Sequence, residues 1–471
     1  MEQFLSMWPE CFLIVATLVL LLIQLFLPKH QMLFTHLGSS LIVVLMFCLS
    51  LWELQQPPTE VFNDLFLRDH FTTWMEILGC ITLFFIFTNS YSYVKRCEHL
   101  GTPEYYLLTL FSFLGFCLLV GAGNLLMIYL GLELLSLPLY ALIAMRRHHA
   151  KATEAGLKYF IIGAIASGCL LYGMSMLYGA VGSLDINTLA HSLVASNFLT
   201  VLGLVFIMVG VAFKLGAVPF HAWMPDVYEG SPLGITLYLS TIPKFAAFAL
   251  IVHLFIQTLP DVTQLWQPLL IFLSLASLIV GNVLALTQQN VKRLLAYSGI
   301  AHMGYVLLGI VAVTPEGYTA ALFYMVSYVA MSLAAFSVLT LMSYHGIECE
   351  TLEHLRGLNS RNSWLAFLML LILFSMAGIP PLVGFFAKVL IFQALIHAHL
   401  VWLAAVGLAC AIVGLYYYLR IIRVLYFDAP HTHAPLAFRV SGVFVSVNSL
   451  ALLFFGIFPT FIYAWCVWGL Q

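Results

Sequence analysis

The sequence predicts an all-α polytopic membrane protein. Three observations carry that prediction: an apolar composition, the recurrence of apolar runs at membrane-helix length, and the placement of the lysines and arginines. Hydrophobic residues make up 62% of the 471 and charged residues only 8%, with a mean hydropathy of +1.02, whereas soluble domains carry about 25% charged residues. Crossing the hydrocarbon core takes about 20 apolar residues as a helix. Counting such stretches gives about fourteen spans, beginning near residues 9, 32, 72, 104, 124, 152, 197, 232, 265, 293, 317, 362, 400 and 438. The first run, from Cys11 to Leu27, has no small-residue cleavage site and reads as a span, not as a signal peptide.

Basic residues collect in loops on the inner side of a membrane. With the N-terminus outside, the inner loops would hold Lys29, Lys95, Arg96, Arg146, Arg147, Lys151, Lys292, Arg293, Arg356, Arg361, Arg420, Arg423 and Arg439, and the outer loops only Arg68. The expected location is therefore a bacterial inner membrane with both termini periplasmic. Trp8, Trp52, Tyr105, Trp223 and Trp465 lie near span ends and read as interfacial anchors.

Two spans should be broken. Val211 to Trp223 reads VAFKLGAVPFHAW, with Gly216 and Pro219 following Lys214 inside an apolar run. A proline inside a helix removes one backbone hydrogen bond and collides with the preceding turn. Gly378-Ile379-Pro380-Pro381 repeats the Gly216-Ala217-Val218-Pro219 pattern in the twelfth span. Nearly the same offset carries the fourth span onto the ninth, which implies two inverted five-helix repeats with broken helices seven and twelve. The expected segments are an N-terminal three-helix part (1–103), the first repeat (104–260), the second (261–427) and a C-terminal helix (428–471). Paired interruptions in two halves mark a transport site at the repeat interface.

Glu133, Lys158, Lys214, Lys244 and Lys388 fall inside the predicted spans, and a charge at the centre of a membrane helix costs about 2.5 to 3.5 kcal/mol. A set of static ion pairs would explain some of them, but four lysines cannot all pair with one glutamate. All the arginines lie in loops or at span ends, and the deep cations are lysines. Lysine can release its proton when desolvated and arginine cannot. The pattern therefore reads as a proton relay, with Glu133 as the deep carboxylate and Lys214 its favoured partner. Lys388 suits an exit position. Lys158 also has a plainer explanation in Glu154, four residues before it. His302 and His221 are possible relay members, because imidazole titrates near neutral pH. Asp226 and Glu229 read as a solvated turn.

The nine cysteines show no metal-ligand spacing, and the chain has no G-x-G-x-x-G, G-x-x-x-x-G-K-[ST] or H-E-x-x-H motif. No metal, cofactor or nucleic acid is expected on this chain.

GLELLSLPLY, LKYFIIGA, FKLGAVPFHAWMPDVYEG, KRLLAYSGIAHMGY and SMAGIPPLVGFFAK together resemble the antiporter-like, proton-translocating subunits of respiratory complex I, the NADH:quinone oxidoreductase. The resemblance implies fourteen core helices in two inverted repeats. It also implies relay positions at Glu133, Lys214, Lys244 and Lys388, and neighbouring membrane subunits as partners. NAD, FMN, iron-sulfur clusters and quinone are expected on those partner subunits. The lysine at position 388 suits one of the family's sister subunits, and the chain is too short for the long lateral helix of another. The rival expectation is a subunit of an Mrp-type sodium/proton antiporter.

Overall fold

In a computed structural model the described residues are 7–26, 32–62, 64–97, 102–343, 348–430 and 440–470. Lys29 and Arg439, both counted among the inner-loop cations, lie outside them. Helices dominate: α1 (Trp8–Phe26), α2 (Met32–Glu53), α3 (His70–Val94), α4 (Glu104–Val120), α5 (Leu125–Ile143), α6 (Ala150–Val181) and α7 (Phe198–Leu215) come first. There follow α8 (Leu233–Thr258), α9 (Pro260–Thr287), α10 (Val291–Val311) and α11 (Pro315–Met342), then α12 (Ser363–Ala377), α13 (Val383–His397), α14 (Val401–Tyr426), α15 (Val440–Ile457) and α16 (Pro459–Gly469). Among the described residues eleven helices are long and apolar enough to cross a membrane, or twelve if α15 and α16 form one span. The chain is a multi-pass membrane protein. In an apolar solvent the backbone groups must be satisfied within the segment, which is why the spans are helices.

The shortfall from fourteen lies in α4, α12 and α13, which are apolar but shorter than 18 residues. The last segment, expected as a single helix, bends by 87° between α15 and α16. Pro459 sits at the start of α16, and a residue before proline is driven out of the helical region.

The interior is built from α10, α8 and α11, whose most apolar 18-residue windows are 100%, 94% and 94% buried, whereas those of α1 and α14 are 28% and 33% buried. A short antiparallel hairpin, β1 (Thr59–Val61) with β2 (Phe66–Arg68), pairs Thr59 with Arg68 and Val61 with Phe66 and caps the α1–α3 end of the molecule.

Both predicted breaks occur, and they are built alike. Helix α7 ends at Leu215, and Gly216 adopts a left-handed conformation with φ +73°. Helix α12 ends at Ala377, and Gly378 does the same with φ +85°. The next amide closes back onto the helix in each case, Ala217 N–H to Ala212 O and Ile379 N–H to Phe374 O, the hydrogen bonding of a Schellman stop. The helix starts also match: Asn124 caps α5 and bridges to Asp185, and Asn290 caps α10 and bridges to Thr351.

Two of the expected interfacial anchors are buried within the protein. Tyr105 is fully buried and donates to Ser90 Oγ and Gly234 O, and Trp223 is buried with its indole N–H on Phe213 O. Trp8 and Trp52 are about half exposed, as anchors should be.

Candidate functional site

A helix end leaves carbonyl oxygens without partners and carries partial negative charge. At the first break these carbonyls meet a cation from the next span. Lys244 Nζ on α8 donates to Leu215 O at 2.7 Å, lies 3.6 Å from Met224 Sδ, and stands 5.8 Å from the centre of the Trp223 ring. At the second break Lys388 Nζ reaches back from α13 to Ala377 O at 2.7 Å and Met376 O at 3.2 Å, and stands 5.4 Å from the Tyr305 ring centre. Each lysine thus acts as the cap of the broken helix in front of it. The two side chains are 1% and 8% exposed, so each ammonium is held by carbonyl dipoles and an aromatic face in place of water.

Lys214 lies one residue before the end of α7 and is buried. Its ammonium donates to Ser136 Oγ at 2.7 Å, not to Glu133. The expected Glu133–Lys214 pair is therefore not a direct ion pair. Among the described residues Glu133 Oε1 is enclosed without a hydrogen-bond partner. The reason is geometric: Ser136 follows Glu133 by three positions on the same helix face and takes the ammonium first. A cavity of about 10 Å³ lined by Lys214, Lys244, Tyr159 and Trp223 joins the two lysines, a size at the lower limit for a single water.

His302 is buried in α10, with Nδ1 2.8 Å from the Tyr324 hydroxyl and Nε2 3.0 Å from the Tyr418 hydroxyl. Tyr324 stacks on Tyr305, which faces Lys388. On its other side Tyr418 packs against the Tyr417 ring, and Tyr417 donates to Asn282 Oδ1 at 3.1 Å. His302 therefore links two tyrosine hydroxyls. His221 is partly buried in the first break, with Nδ1 enclosed and unpartnered among the described residues.

Lys158 is not deep. Helix α6 has 32 residues, roughly 48 Å at 1.5 Å per residue, so its first turns extend past a hydrocarbon core of about 30 Å. Lys158 is 41% exposed and pairs at 2.8 Å with both Glu154 and Asp226. Asp226 and Glu229 are more than a solvated turn, because Arg293 bridges both, at 2.7 and 2.9 Å. With Lys151 and Lys158 they line a cavity of about 130 Å³.

Burial pushes the Asp226 carboxyl up, but hydrogen bonds from Lys158 and Arg293 outweigh it and hold the group below the ordinary aspartate value; Glu229 is lowered in the same way, by Arg293 and Lys151. A carboxylate whose folded pKa is depressed contributes stability above its unfolded pKa and loses it as pH falls through the folded value. Acidification below about pH 4 is therefore expected to release the Trp223–Gly230 helix from α10. Hydrogen exchange across residues 223–230 checks this, and Arg293→Gln is expected to show the same release already at neutral pH.

Sequence reading missed three further groups. Lys292, taken as a loop cation, is 1% exposed and bonds to Glu348, Glu350 and Ser231 O at 3.0, 2.9 and 2.9 Å. Arg146, taken as topological, holds the same Glu348, as does Tyr93. Burial pushes the Glu348 carboxyl up, but Lys292 and Arg146 hold it below the carboxylate range. His253, in a π-helical stretch of α8, is buried between Gln257 and Val120 O. Glu133 is also not the sole deep carboxylate, since Glu10 and Glu76 are fully buried. Among the described residues no group of three or more His, Cys, Asp or Glu side chains is placed to hold a metal.

Residues 122–414, which contain both breaks and every lysine above, match the family described as NADH:quinone oxidoreductase/Mrp antiporter, transmembrane. The chain belongs to this family. A relative from Coxiella burnetii, named NADH-quinone oxidoreductase subunit N, is 46% identical over 98% of this chain and 98% of its own length. A chain of respiratory complex I from Thermus thermophilus, solved with bound aureothin, superposes with a TM-score of 0.84 at 31% identity, covering 97% of this chain and 98% of that one. A chain of the Mrp complex from Dietzia reaches a TM-score of 0.86 over 99% and 97% of the two chains, but at 18% identity, so that likeness speaks for the fold alone. The family's antiporter-like membrane architecture is the one seen here.

Proposed function

We propose that this chain is the subunit N type of proton-translocating membrane subunit of an NADH:quinone oxidoreductase, and that its protons move along Glu133, Lys214, Lys244, His302 and Lys388. The observation that carries the path is the pair of buried lysines capping the two helix breaks. A protonated lysine satisfies the freed carbonyls, and a neutral one holds them less tightly. Proton occupancy and local helix geometry are then linked at two matching places. Glu133 and Ser136 share a helix face beside Lys214, so a small shift moves that ammonium from hydroxyl to carboxylate and changes its hold on its proton. Lys158, with Asp226 and Arg293, belongs to the charged mouth of the path, and His221 to the first break.

The matching Schellman stops and Asn caps support two inverted repeats at 104–260 and 261–427, flanked by 1–103 and 428–471. Counting α4 as one span, α12 with α13 as one broken span and α15 with α16 as one bent span brings the eleven to fourteen. The basic inner loops support a bacterial inner membrane with periplasmic termini. Moving a proton against the membrane potential costs about 2.3 kcal/mol per 100 mV, and no redox centre is expected on this chain. Neighbouring complex I subunits, with NAD, FMN, iron-sulfur clusters and quinone elsewhere in the assembly, would supply the energy.

The Mrp alternative is the weaker reading, because the relatives above 40% identity carry the subunit N name. The two readings part on the ion moved. Membrane vesicles containing the complex are expected to acidify their lumen on NADH addition in sodium-free medium, and an absolute sodium requirement would favour the antiporter reading.

A further inference from the structure

Helices α1, α2 and α3 and the β-hairpin enclose a charged cluster that takes no part in the lysine path. Arg68 Nη2 bonds to both Glu10 oxygens at 2.6 Å, and its Nη1 bonds to Glu76 Oε2 at 2.8 Å, an oxygen that also accepts from Ser50 Oγ at 3.2 Å. Arg68, Glu10 and Glu76 are 2%, 0% and 0% exposed. A third acid, Glu53 at the end of α2, is 5% exposed and lies within electrostatic reach of Arg68 and Glu10, and among the described residues its Oε1 is enclosed without a hydrogen-bond partner. Among the described residues Glu76 Oε1 is likewise enclosed and accepts from no donor, and the Glu10 and Glu76 carboxyls are held side by side on the one guanidinium. Among the described residues the other titratable groups facing the cluster are thiols, Cys11 on α1, Cys80 on α3 and Cys117 on α4, and none of them adds positive charge.

Three buried carboxylates against one guanidinium would leave two uncompensated negative charges away from water. Burying even one unpaired ion costs several kcal/mol, and the usual relief is to take up a proton. A carboxyl oxygen with no donor beside another carboxyl is where that proton fits, since two acids in one site cannot both ionise freely.

We infer that Glu53 and Glu76, gathered with the Arg68–Glu10 ion pair, form a proton-binding site separate from the lysine chain. The site holds at least one carboxyl proton at neutral pH and lies at the hairpin end of the N-terminal three-helix segment. The inference does not rest on the pumping role.

Infrared spectroscopy of the assembled complex in H2O and D2O tests it, comparing the wild type with Glu10→Gln, Glu53→Gln and Glu76→Gln. Glutamine mimics the protonated acid, so a residue that is already neutral tolerates the change, whereas one that must be ionised to hold Arg68 does not. The expected result is at least one variant that assembles normally and lacks a D2O-sensitive protonated-carboxyl band present in the wild type. The inference is overturned if every variant that assembles keeps that band, or if none of the three assembles.

Discussion

A complex carrying Lys244→Arg or Lys388→Arg is expected to assemble and to oxidise NADH, but to translocate few protons. The guanidinium keeps the positive charge and has donors enough for the carbonyls of Leu215, or of Met376 and Ala377, that the lysines cap. Arginine releases its proton about 2 to 3 pKa units less readily than lysine, roughly 3 to 4 kcal/mol, so a step needing neutral lysine slows by on the order of a hundredfold or more. Fitting the longer side chain costs about 1 to 3 kcal/mol in a packed site, which a native gel would register as a modest loss of assembled complex. A purely structural cap would work equally well with arginine, and full pumping in both variants would remove the relay from consideration.

Gly384→Ala is expected to prevent assembly. A Cβ at this position would lie 1.9 Å from Ser375 O and 2.8 Å from Ser375 C, across the second break. Both atoms are backbone, held by α12 and α13 packed against each other, so neither can move aside without opening the break. The cost should reach or exceed the roughly 3 kcal/mol upper end of ordinary overpacking. Gly168→Ala is the matched control, because nothing lies within 4 Å of its added carbon, and it should assemble as the wild type does. Equal yields of the two variants would mean that the close approach of α12 and α13 is not required.

The sequence made the breaks legible because Gly216, Pro219, Gly378 and Pro380 act locally, and a helix stop needs only its own residues. Lysines 214, 244 and 388 were legible for a related reason, since charge is rare enough in apolar runs to stand out. The partners were not. Nothing in the spacing puts Lys244 on Leu215 O or His302 between Tyr324 and Tyr418, because those contacts join separate helices whose mutual placement is set by tertiary packing. The ion pairs of Lys292, Arg146 and Arg68 were not legible, for one cause. Each lies near the end of a span, where a cation usually faces water, yet Glu348 and Glu350 from one loop and Glu10 and Glu76 from two helices fold over them. Lys158 erred in the opposite direction, because α6 runs longer than the membrane requires.

The most direct measurement is NADH-driven proton uptake by membrane vesicles containing Lys214→Met, with assembly checked on a native gel and electron transfer assayed in the same preparation. Methionine fills much of the lysine volume while removing the ammonium from Ser136 and from the cavity shared with Lys244. If proton transfer between buried amines is what this chain does, the complex assembles and the pH gradient collapses. An assembled complex that builds the wild-type gradient without the Lys214 amine would contradict it.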